Sequence, residues 1–543
     1  MVTVKVGFLG GLGEVGRNCA ILEINGTMAM IDCGLMFPEE DMLGVDLVLP
    51  DFSGVVERKE DLACIILTHG HEDHIGALAF LLREVNVPIY GTPLTVGFAR
   101  ARIEEYGLVP DLRPVEYYDW VEDGPFRFTF IPVSHSIPDA AAIAFNTPEG
   151  IVLHSGDFKL DPTPLDGIPT DLRSFGTIGE KGVRLLLADS TNAEREGYVP
   201  SEVTVGERLN QIVAQAEGRV IMACFASHVH RVEQAIDAVV ADGRKFAFIG
   251  RSMLRNSEIA AELGSLNIPK NGLVELNELV DMPPADTAII STGSQGEPFA
   301  ALSLMAAGQH RSVSLADTDT VIISATPIPG NEKKVSKVIN NLYRAGVTVY
   351  HGRNTHVHVS GHAAAEELKT FYNTIRPEAM IPVHGEYRHM HANAALGREM
   401  RIPEVEICQD GDQVTLRDGE LTVERGVLPS GYVYVDGTDI GGDDEVIRNR
   451  RHLADDGVMT VTIGINLKSG EILIGPDIDS HGVTADEDEL HALIRSRIVD
   501  SVGSLDVPID MDTLRQRVRN SAARAVKKHT GSRPVVLPVV FEV

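Results

Sequence analysis

Residues 68–74 place three histidines and two carboxylates in one short segment, Thr-His-Gly-His-Glu-Asp-His. Imidazole and carboxylate groups are the ligands that Zn²⁺ and similar borderline cations prefer. His69 and His71 are two residues apart and can point to one centre, whereas Asp73 and His74 face a neighbouring one. The segment therefore predicts part of two metal sites, the alternative being a surface loop that is histidine-rich by chance.

The flanking residues place this segment at the end of a strand. The apolar run Leu62–Leu67 precedes it and is typical of a buried strand, while residues 75–85 follow with the apolar spacing of a helix. The histidines are thus predicted on a strand-to-helix turn at the carboxyl end of a strand, where binding sites gather in α/β sheets.

Three later apolar runs also end in residues that can bind metal, namely His135, Asp157 and Asp189. One such residue alone is usually structural, but three of them behind a histidine-rich loop favour a shared site. More histidines follow in residues 351–362, and His384 closes a further apolar run. The pattern predicts one site built from strand ends that are far apart in the chain.

Residues Gly11–Gly16 match the spacing G-x-G-x-x-G, which suggests a dinucleotide-binding turn. That interpretation requires a helix after the glycines, whereas two apolar runs joined by Asn25-Gly26 predict a hairpin. A tight turn beside a site is therefore favoured. Asp32 ends the hairpin, where it would either orient a metal-binding histidine or cap a turn.

The composition is that of a globular protein larger than a single domain, with 543 residues, 43% hydrophobic and 23% charged. The formal charge of −30 argues against a nonspecific nucleic-acid coat, although a local basic channel remains compatible. Five scattered cysteines predict a reducing compartment without a disulfide framework. We see no signal peptide and no membrane-spanning run, and expect a cytoplasmic protein.

The pattern of predicted secondary structure changes near residue 203, where strands and helices begin to alternate as in a parallel α/β unit. No P-loop signature occurs there, which gives a nucleotide-triphosphatase no support. Residues 439–456 are rich in acidic residues and arginine, and 446–456 are interpreted as a linker before a C-terminal α+β part. A basic stretch over 515–528 is interpreted as a solvated face, the alternative being a surface for RNA or another subunit.

The order of these motifs resembles metallo-β-lactamase-fold nucleases with a β-CASP insertion, and most closely the bacterial ribonuclease J family. The residues that carry the resemblance are Thr68–His74, His135, Asp157, Asp189, His358–His362 and His384. The resemblance covers essentially the whole chain and implies an α/β fold, a metallo-β-lactamase αββα sandwich with an inserted α/β domain. It implies a sandwich over 1–202 and 367–445, a β-CASP domain over 203–366, a linker over 446–456 and a small α+β domain over 457–543.

The resemblance also implies roles for individual residues. One zinc ion would be held by His69, His71, His135 and Asp157, and the other by Asp73, His74, Asp157 and His384. The catalytic residues would be Asp73, His362 as general acid and Asp189, which orients His362. RNA would be bound by Ser227, His228, Val229, His358, Val359, Ser360, Gly361 and His362. An additional ion such as a structural Ca²⁺ would lie near Leu43, Val45 and Asp436.

The implied activity is a zinc-dependent ribonuclease, with Mn²⁺ or Mg²⁺ as other metals for activity. It would cut single-stranded RNA from 5′-monophosphate ends in the 5′-to-3′ direction, with additional endonuclease activity, in RNA maturation and decay. Arg251 and Arg353 are candidates for a basic channel. We expect a homodimer or higher homo-oligomer, other RNA-decay proteins as partners and no membrane. The alternatives are a small-molecule hydrolase on the same fold and a non-catalytic RNA-binding subunit.

Overall fold

A computed structural model describes residues 2–39, 41–297, 299–328, 330–437, 439–442, 444–483 and 487–543. It divides into two compact units: Met1–Phe37 with Leu47–Val433, and Pro38–Asp46 with Tyr434–Val543. All five cysteines are buried and free, as the prediction of no disulfide framework requires. Within the described residues, no helix combines the length and apolarity that crossing a bilayer needs.

The larger unit begins with most of two sheets and the helices that cover them. The elements are β1 (Val4–Gly10), β2 (Leu12–Gly13), β3 (Cys19–Ile24), β4 (Thr27–Ile31), β5 (Leu47–Pro50), α1 (Ser53–Val56), β6 (Leu62–Ile66), α2 (Glu72–Ile75), α3 (Leu78–Leu81), β7 (Ile89–Gly91), α4 (Pro93–Glu104), β8 (Leu112–Pro114), β9 (Trp120–Asp123), β10 (Phe126–Pro132), β11 (Ala141–Thr147), β12 (Gly150–His154), α5 (Leu172–Lys181) and β13 (Val183–Asp189).

An alternating α/β segment follows, and the chain then returns to the first two sheets. The alternating elements are α6 (Val203–Gln215), β14 (Val220–Ala223), α7 (Val229–Ala241), β15 (Lys245–Ile249), α8 (Arg251–Glu262), α9 (Leu276–Leu279), β16 (Thr287–Ser291), α10 (Ala301–Ala306), β17 (Thr320–Ile323), α11 (Glu332–Arg344) and β18 (Thr348–His351). The returning elements are α12 (Ala365–Ile375), β19 (Ala379–Val383), β20 (Gly385–Glu386), α13 (Tyr387–Glu399), β21 (Glu404–Val405), β22 (Gln413–Arg417) and β23 (Glu420–Glu424).

The two sheets of the first part have strand orders β23-β22-β1-β3-β4-β6-β7-β8 and β21-β19-β13-β12-β11-β10-β9. Their inward side chains alternate along each strand, as Phe126, Phe128 and Phe130 do on β10, and they share one apolar core with β1. This is the αββα sandwich that the sequence predicts. Strand β19 pairs in parallel with β13 and opposes Val383 to Asp189, which brings the end of β19 to the end of β13.

The alternating segment forms a five-stranded parallel sheet of order β15-β16-β14-β17-β18, with its own apolar core. Because these strands are parallel, the loops that leave their carboxyl ends lie along one edge of the sheet.

The smaller unit continues with β24 (Tyr432–Asp436), β25 (Asp439–Gly442), α14 (Asp444–Asp456), β26 (Val458–Asn466), β27 (Glu471–His481), α15 (Glu487–Val502), α16 (Met511–Thr530) and β28 (Val535–Glu542). Strand β26 lies between β27 and β28, and α15 and α16 cover one face of this sheet. Residues 446–456 are helical, unlike an extended linker, because they contain neither proline nor glycine to end a helix.

Of two further predictions, the one for the glycine turn is confirmed and the one for a single helix is wrong. The glycines of Gly11–Gly16 adopt positive φ angles and lead through β2 to β3, so the hairpin prediction is confirmed and the dinucleotide-binding interpretation is excluded. The single helix expected over 75–85 is divided into α2 and α3, because the Ala77 amide donates to the Cys33 carbonyl outside the helix.

A buried ion pair joins α6, α7 and the segment after β18. Arg231 is fully buried and donates to Glu202 at 2.5 Å, to the Val357 carbonyl at 2.7 Å and to Ser324. Burial raises the pKa of Glu202, but the charges of Arg231 and His228 outweigh it and hold that pKa well below its usual value. The pair therefore stabilises the fold while Glu202 is ionised.

Glu202→Gln tests this pair, because the substitution leaves the Arg231 charge buried without its partner. Removing one partner of a buried pair costs about 3–5 kcal/mol, so we expect a melting temperature lower by several degrees at pH 7. Because the pKa of Glu202 is lower in the folded state, its contribution to stability is fully present above the unfolded pKa of about 4.3 and is lost as the pH falls through the folded pKa. The difference in melting temperature between Glu202→Gln and wild type should therefore shrink in acid. Scanning calorimetry from about pH 2 to about pH 7 measures both effects, because the loss extends below the unfolded pKa to the lower folded pKa.

Glu207→Gln is the matched control, because Glu207 is exposed on the same helix, α6. Equal melting temperatures for the two variants at pH 7 would contradict a stabilising role of the pair.

Candidate metal centre

The predicted metal ligands converge from four strand ends onto one place in the larger unit. His69 and His71 follow β6, His135 follows β10, Asp157 follows β12 and His384 follows β19. Their donor atoms form groups in which all atoms lie within 4.8 Å of one another: His69 with His71 and His135; Asp73 with His74, Asp157 and His384; and Asp157 with Asp189, His362 and His384.

The distances in the first group fit a tetrahedral ion. Two ligand atoms at 2.0–2.1 Å from Zn²⁺ lie about 3.3 Å apart. His71 Nδ1 is 3.0 Å from His69 Nε2 and 3.2 Å from His135 Nε2. Asp157 Oδ2 lies 3.6 Å from His69 Nε2 and 3.9 Å from His135 Nε2, so it can complete the set.

The second group uses the same oxygen. Asp157 Oδ2 is 3.3 Å from Nε2 of both His74 and His384. Asp73 Oδ2 lies 3.7 Å from His74 Nε2 and 3.9 Å from His384 Nε2. The donor types and spacings therefore fit a divalent ion in each group, with the Asp157 carboxylate common to both.

Hydrogen bonds at the other ring nitrogen orient the histidines. His74 Nδ1 lies 2.7 Å from Asp32 Oδ2, His384 Nδ1 lies 2.8 Å from Asn18 Oδ1, and His135 Nδ1 lies 2.8 Å from the Gly361 carbonyl. Acceptors at Nδ1 select the tautomer whose Nε2 lone pair faces the metal position. Of the two roles considered for Asp32, the structure shows the orienting one.

The electrostatics of the first group favour neutral imidazoles. Burial, reinforced by neighbouring histidines, lowers the pKa of His69 and His71 well below the usual value and that of His135 to about 3. Metal binding requires the neutral ring, so no proton has to be displaced from these side chains at neutral pH.

His362 and Asp189 form a pair beside the ligands. His362 Nδ1 lies 2.8 Å from Asp189 Oδ2, and the His362 ring centroid is 5.0 Å from that of His135. Burial lowers the pKa of His362, but the Asp189 carboxylate outweighs it and raises that pKa to about 9. Because Asp189 engages Nδ1, Nε2 is the nitrogen that can exchange a proton with a substrate.

Sequence reasoning missed two asparagines that hold this site. Asn18 bonds His384 and donates through Nδ2 to the Asp73 carbonyl at 3.1 Å. Asn393 donates to the Asp189 carbonyl at 2.9 Å and to Ser190 Oγ at 3.0 Å, which fixes the end of β13. Asn18 could have been found from its place directly after the glycine turn, whereas Asn393 sits in a helix with no local signal.

The predicted RNA-binding residues lie on two neighbouring segments. Rings of His228 and His358 have centroids 6.3 Å apart, and buried His358 Nδ1 has no hydrogen-bond partner among the described residues. A Cβ on Gly361 would lie 2.8 Å from the His135 ring, so the close approach of 358–362 to the metal ligands requires glycine. Val229 and Val359 are buried, which limits both to main-chain contacts.

The oxygen atoms that the resemblance assigns to an additional ion are already hydrogen-bonded to the guanidinium of an arginine. Arg450 donates to the Leu43 carbonyl at 3.2 Å, to the Gly44 carbonyl at 3.1 Å and to the Asp436 carboxylate. The guanidinium thus occupies acceptors that Ca²⁺ would need beside Val45, so this set does not fit a divalent ion.

Comparison with protein families covers most of the chain. Residues 12–192 match the metallo-beta-lactamase superfamily and residues 217–342 match the ribonuclease J beta-CASP domain. Residues 346–406 match the Zn-dependent metallo-hydrolase RNA specificity domain, and residues 445–543 match the ribonuclease J C-terminal domain.

Curated relatives align over nearly the full length. Ribonuclease J of Mycobacterium tuberculosis is 40% identical, covering 99% of this chain and 97% of the relative, and that of Thermus thermophilus is 39% identical, covering 98% and 94%. A crystal structure of a protein of unknown function from Enterococcus faecalis shares the fold, with a TM-score of 0.53 at 16% identity over 76% of this chain and 100% of the other. The chain therefore belongs to the ribonuclease J family of metal-dependent ribonucleases.

Proposed function

We propose that this chain degrades single-stranded RNA from 5′-monophosphate ends in the 5′-to-3′ direction, with two zinc ions per subunit and additional endonuclease activity. The observation that supports it most directly is the segment 358–362, in which Gly361 and His362 both contact the predicted ligand His135 and His358 approaches His228. We place the enzyme in the cytoplasm, in RNA maturation and decay. A homodimer and partner decay proteins remain predictions.

Two ions would be held by His69, His71, His135 and Asp157, and by Asp73, His74, Asp157 and His384. When bound, they would neutralise charge on the phosphate and lower the pKa of a water molecule, and Mn²⁺ or Mg²⁺ can supply the same chemistry as Zn²⁺. Asp73 is the more exposed of the carboxylate ligands and is our candidate to accept a proton from the attacking water.

The spacing of the 358–362 segment accounts for exonuclease activity. Ser360 and His362 are two residues apart, so they can be separated by at most about 7 Å of chain. If Ser360, Ser227 and His228 bind a terminal phosphate, only about one nucleotide fits between that phosphate and the metal centre. A small, largely buried pocket would accept a monophosphate and reject a triphosphate by size and charge.

His362 is our candidate proton donor to the leaving 3′-oxygen. The Asp189 carboxylate holds the ring through Nδ1 and favours its protonated form, and Asn393 in turn fixes the Asp189 main chain. A protonated imidazole beside the cleaved bond stabilises the departing oxyanion as it forms.

The end preference is tested with one labelled single-stranded RNA carrying either a 5′-monophosphate or a 5′-triphosphate. We expect mononucleotides from the monophosphate RNA only, because the proposed phosphate-binding residues would hold the 5′ end about one nucleotide from the metal ligands. His74→Ala should abolish this release by removing a metal ligand, whereas His391→Ala, an exposed histidine on α13, should retain it.

Internal fragments from both RNAs at equal rates would contradict the exonuclease assignment. Ester or lactone hydrolysis without RNA cleavage, in protein with bound metal, would support the small-molecule hydrolase instead.

The proton donor is tested with His362→Ala and Asp189→Asn. We expect kcat to fall by about 10²–10⁴-fold for His362→Ala, as is typical for loss of a general acid, with a smaller fall for Asp189→Asn because the ring loses only its orientation. Single-turnover kinetics and metal content by mass spectrometry are measured together. Loss of metal in His362→Ala would make that residue a ligand and contradict the assignment.

A further inference from the structure

A cationic groove lies on helix α11 of the alternating segment. Lys333, Lys337, Asn340 and Arg344 follow one another at spacings of four, three and four residues, which places them on one face of the helix. Together with Arg353 and Glu332 they line an open groove of about 440 Å³. The opposite face of α11 packs into the core through Val335, Val338 and Leu342.

The charge of this groove contrasts with the rest of the chain. It has four cations and one carboxylate in a protein of formal charge −30. Throughout the described residues, no carboxylate forms an ion pair with Lys337, Arg344 or Arg353, all of which are exposed. Arg344 instead donates to the Asn341 side chain at 2.7 Å. Cations left unneutralised on an acidic protein attract a polyanion, whereas like-charge repulsion keeps it from most of the remaining surface.

The topology places this groove beside the loops that approach the metal centre. Helix α11 follows the carboxyl end of β17, Arg353 follows that of β18, and Ser227 follows that of β14. These three strands are neighbours and parallel, so all three loops leave the same edge of the sheet. The turn that carries Arg353 is fixed, because Asn354 bonds both the His351 amide and the Val349 carbonyl.

The length of the groove fits a single-stranded backbone. From Lys333 to Arg344 the helix rises about 16 Å, enough for several nucleotides. Lysine and arginine bind phosphates without reading sequence, which suits an enzyme that degrades many transcripts.

We propose that this basic groove binds the phosphates of the RNA downstream of the nucleotides held at the metal centre. The proposal rests on the proposed ribonuclease function. It assigns to Lys337, Arg344 and Arg353 a role in affinity for long RNA and none in the chemical step. On this proposal, a dinucleotide held at the metal centre makes no contact with the groove.

The test compares wild type with a triple variant, Lys337→Gln, Arg344→Gln and Arg353→Gln. Binding of a 5′-phosphorylated, phosphorothioate-linked RNA of about 20 nucleotides is measured by fluorescence anisotropy against salt. Each phosphate contact on a single strand contributes about 0.7 to the slope of log K against log salt, so the slope should decrease by about 2. The ratio of variant to wild-type Kd should then shrink about 20-fold between 50 and 200 mM salt.

The matched control is Arg517→Gln, Arg524→Gln and Lys528→Gln on α16, which removes the same charge from another exposed face. We expect the control to keep the wild-type slope. Both variants should retain wild-type kcat/KM on a 5′-phosphorylated dinucleotide, since the metal centre is untouched.

The outcomes separate the two proposals. If wild type and the α11 variant bind RNA with the same slope of log K against log salt, the proposal that the groove binds RNA is wrong. The ribonuclease proposal would be unaffected. Equal slope changes in both variants would also overturn it, because the effect would then not be specific to the groove. Wild type that neither binds nor cleaves RNA would overturn the proposed function and the groove with it.

Discussion

The candidate metal centre depends on one buried carboxylate. Asp157 Oδ2 lies within 3.3–3.9 Å of ring nitrogens of His69, His74, His135 and His384, so both donor groups share it. Burying a carboxylate is unfavourable unless positive charge faces it, and bound divalent cations supply that charge. The sandwich brings the ends of β6, β10, β12 and β19 to this oxygen, which is why ligands hundreds of residues apart in the chain meet.

The segment 358–362 connects the chemistry to the alternating α/β segment. Gly361 contacts His135, His362 pairs with Asp189, and Val357 is held by buried Arg231. Helix α11, which carries the groove, begins at the edge of the same parallel sheet from which this segment leaves. Local placement of cations would reconcile an acidic chain with an anionic substrate, because attraction over a few ångströms matters more than net charge screened by salt.

Sequence reasoning identified those features that follow from local patterns. These features reflect periodicity and turn chemistry, which act over a few residues. They are the histidines and aspartates at strand ends, the Asn25-Gly26 hairpin and the start of alternating strands and helices near residue 203. Asn18, Asn393 and Arg231 were missed as supports because their partners are distant in sequence. The helix over 444–456 and the Arg450 guanidinium beside Leu43 were missed for a related reason, since charge density alone does not distinguish a solvated linker from a paired helix.

Counting the bound metal in Asp157→Asn tests whether two metal ions share the Asp157 carboxylate. Wild type and variant are loaded with zinc, dialysed and measured by mass spectrometry, with exposed Asp237→Asn on α7 as control. We expect about two ions per chain in wild type and control, and loss of both tightly bound ions in Asp157→Asn, because each group loses the carboxylate that the two groups share. One retained ion in Asp157→Asn, or one ion in wild type, would contradict a shared ligand.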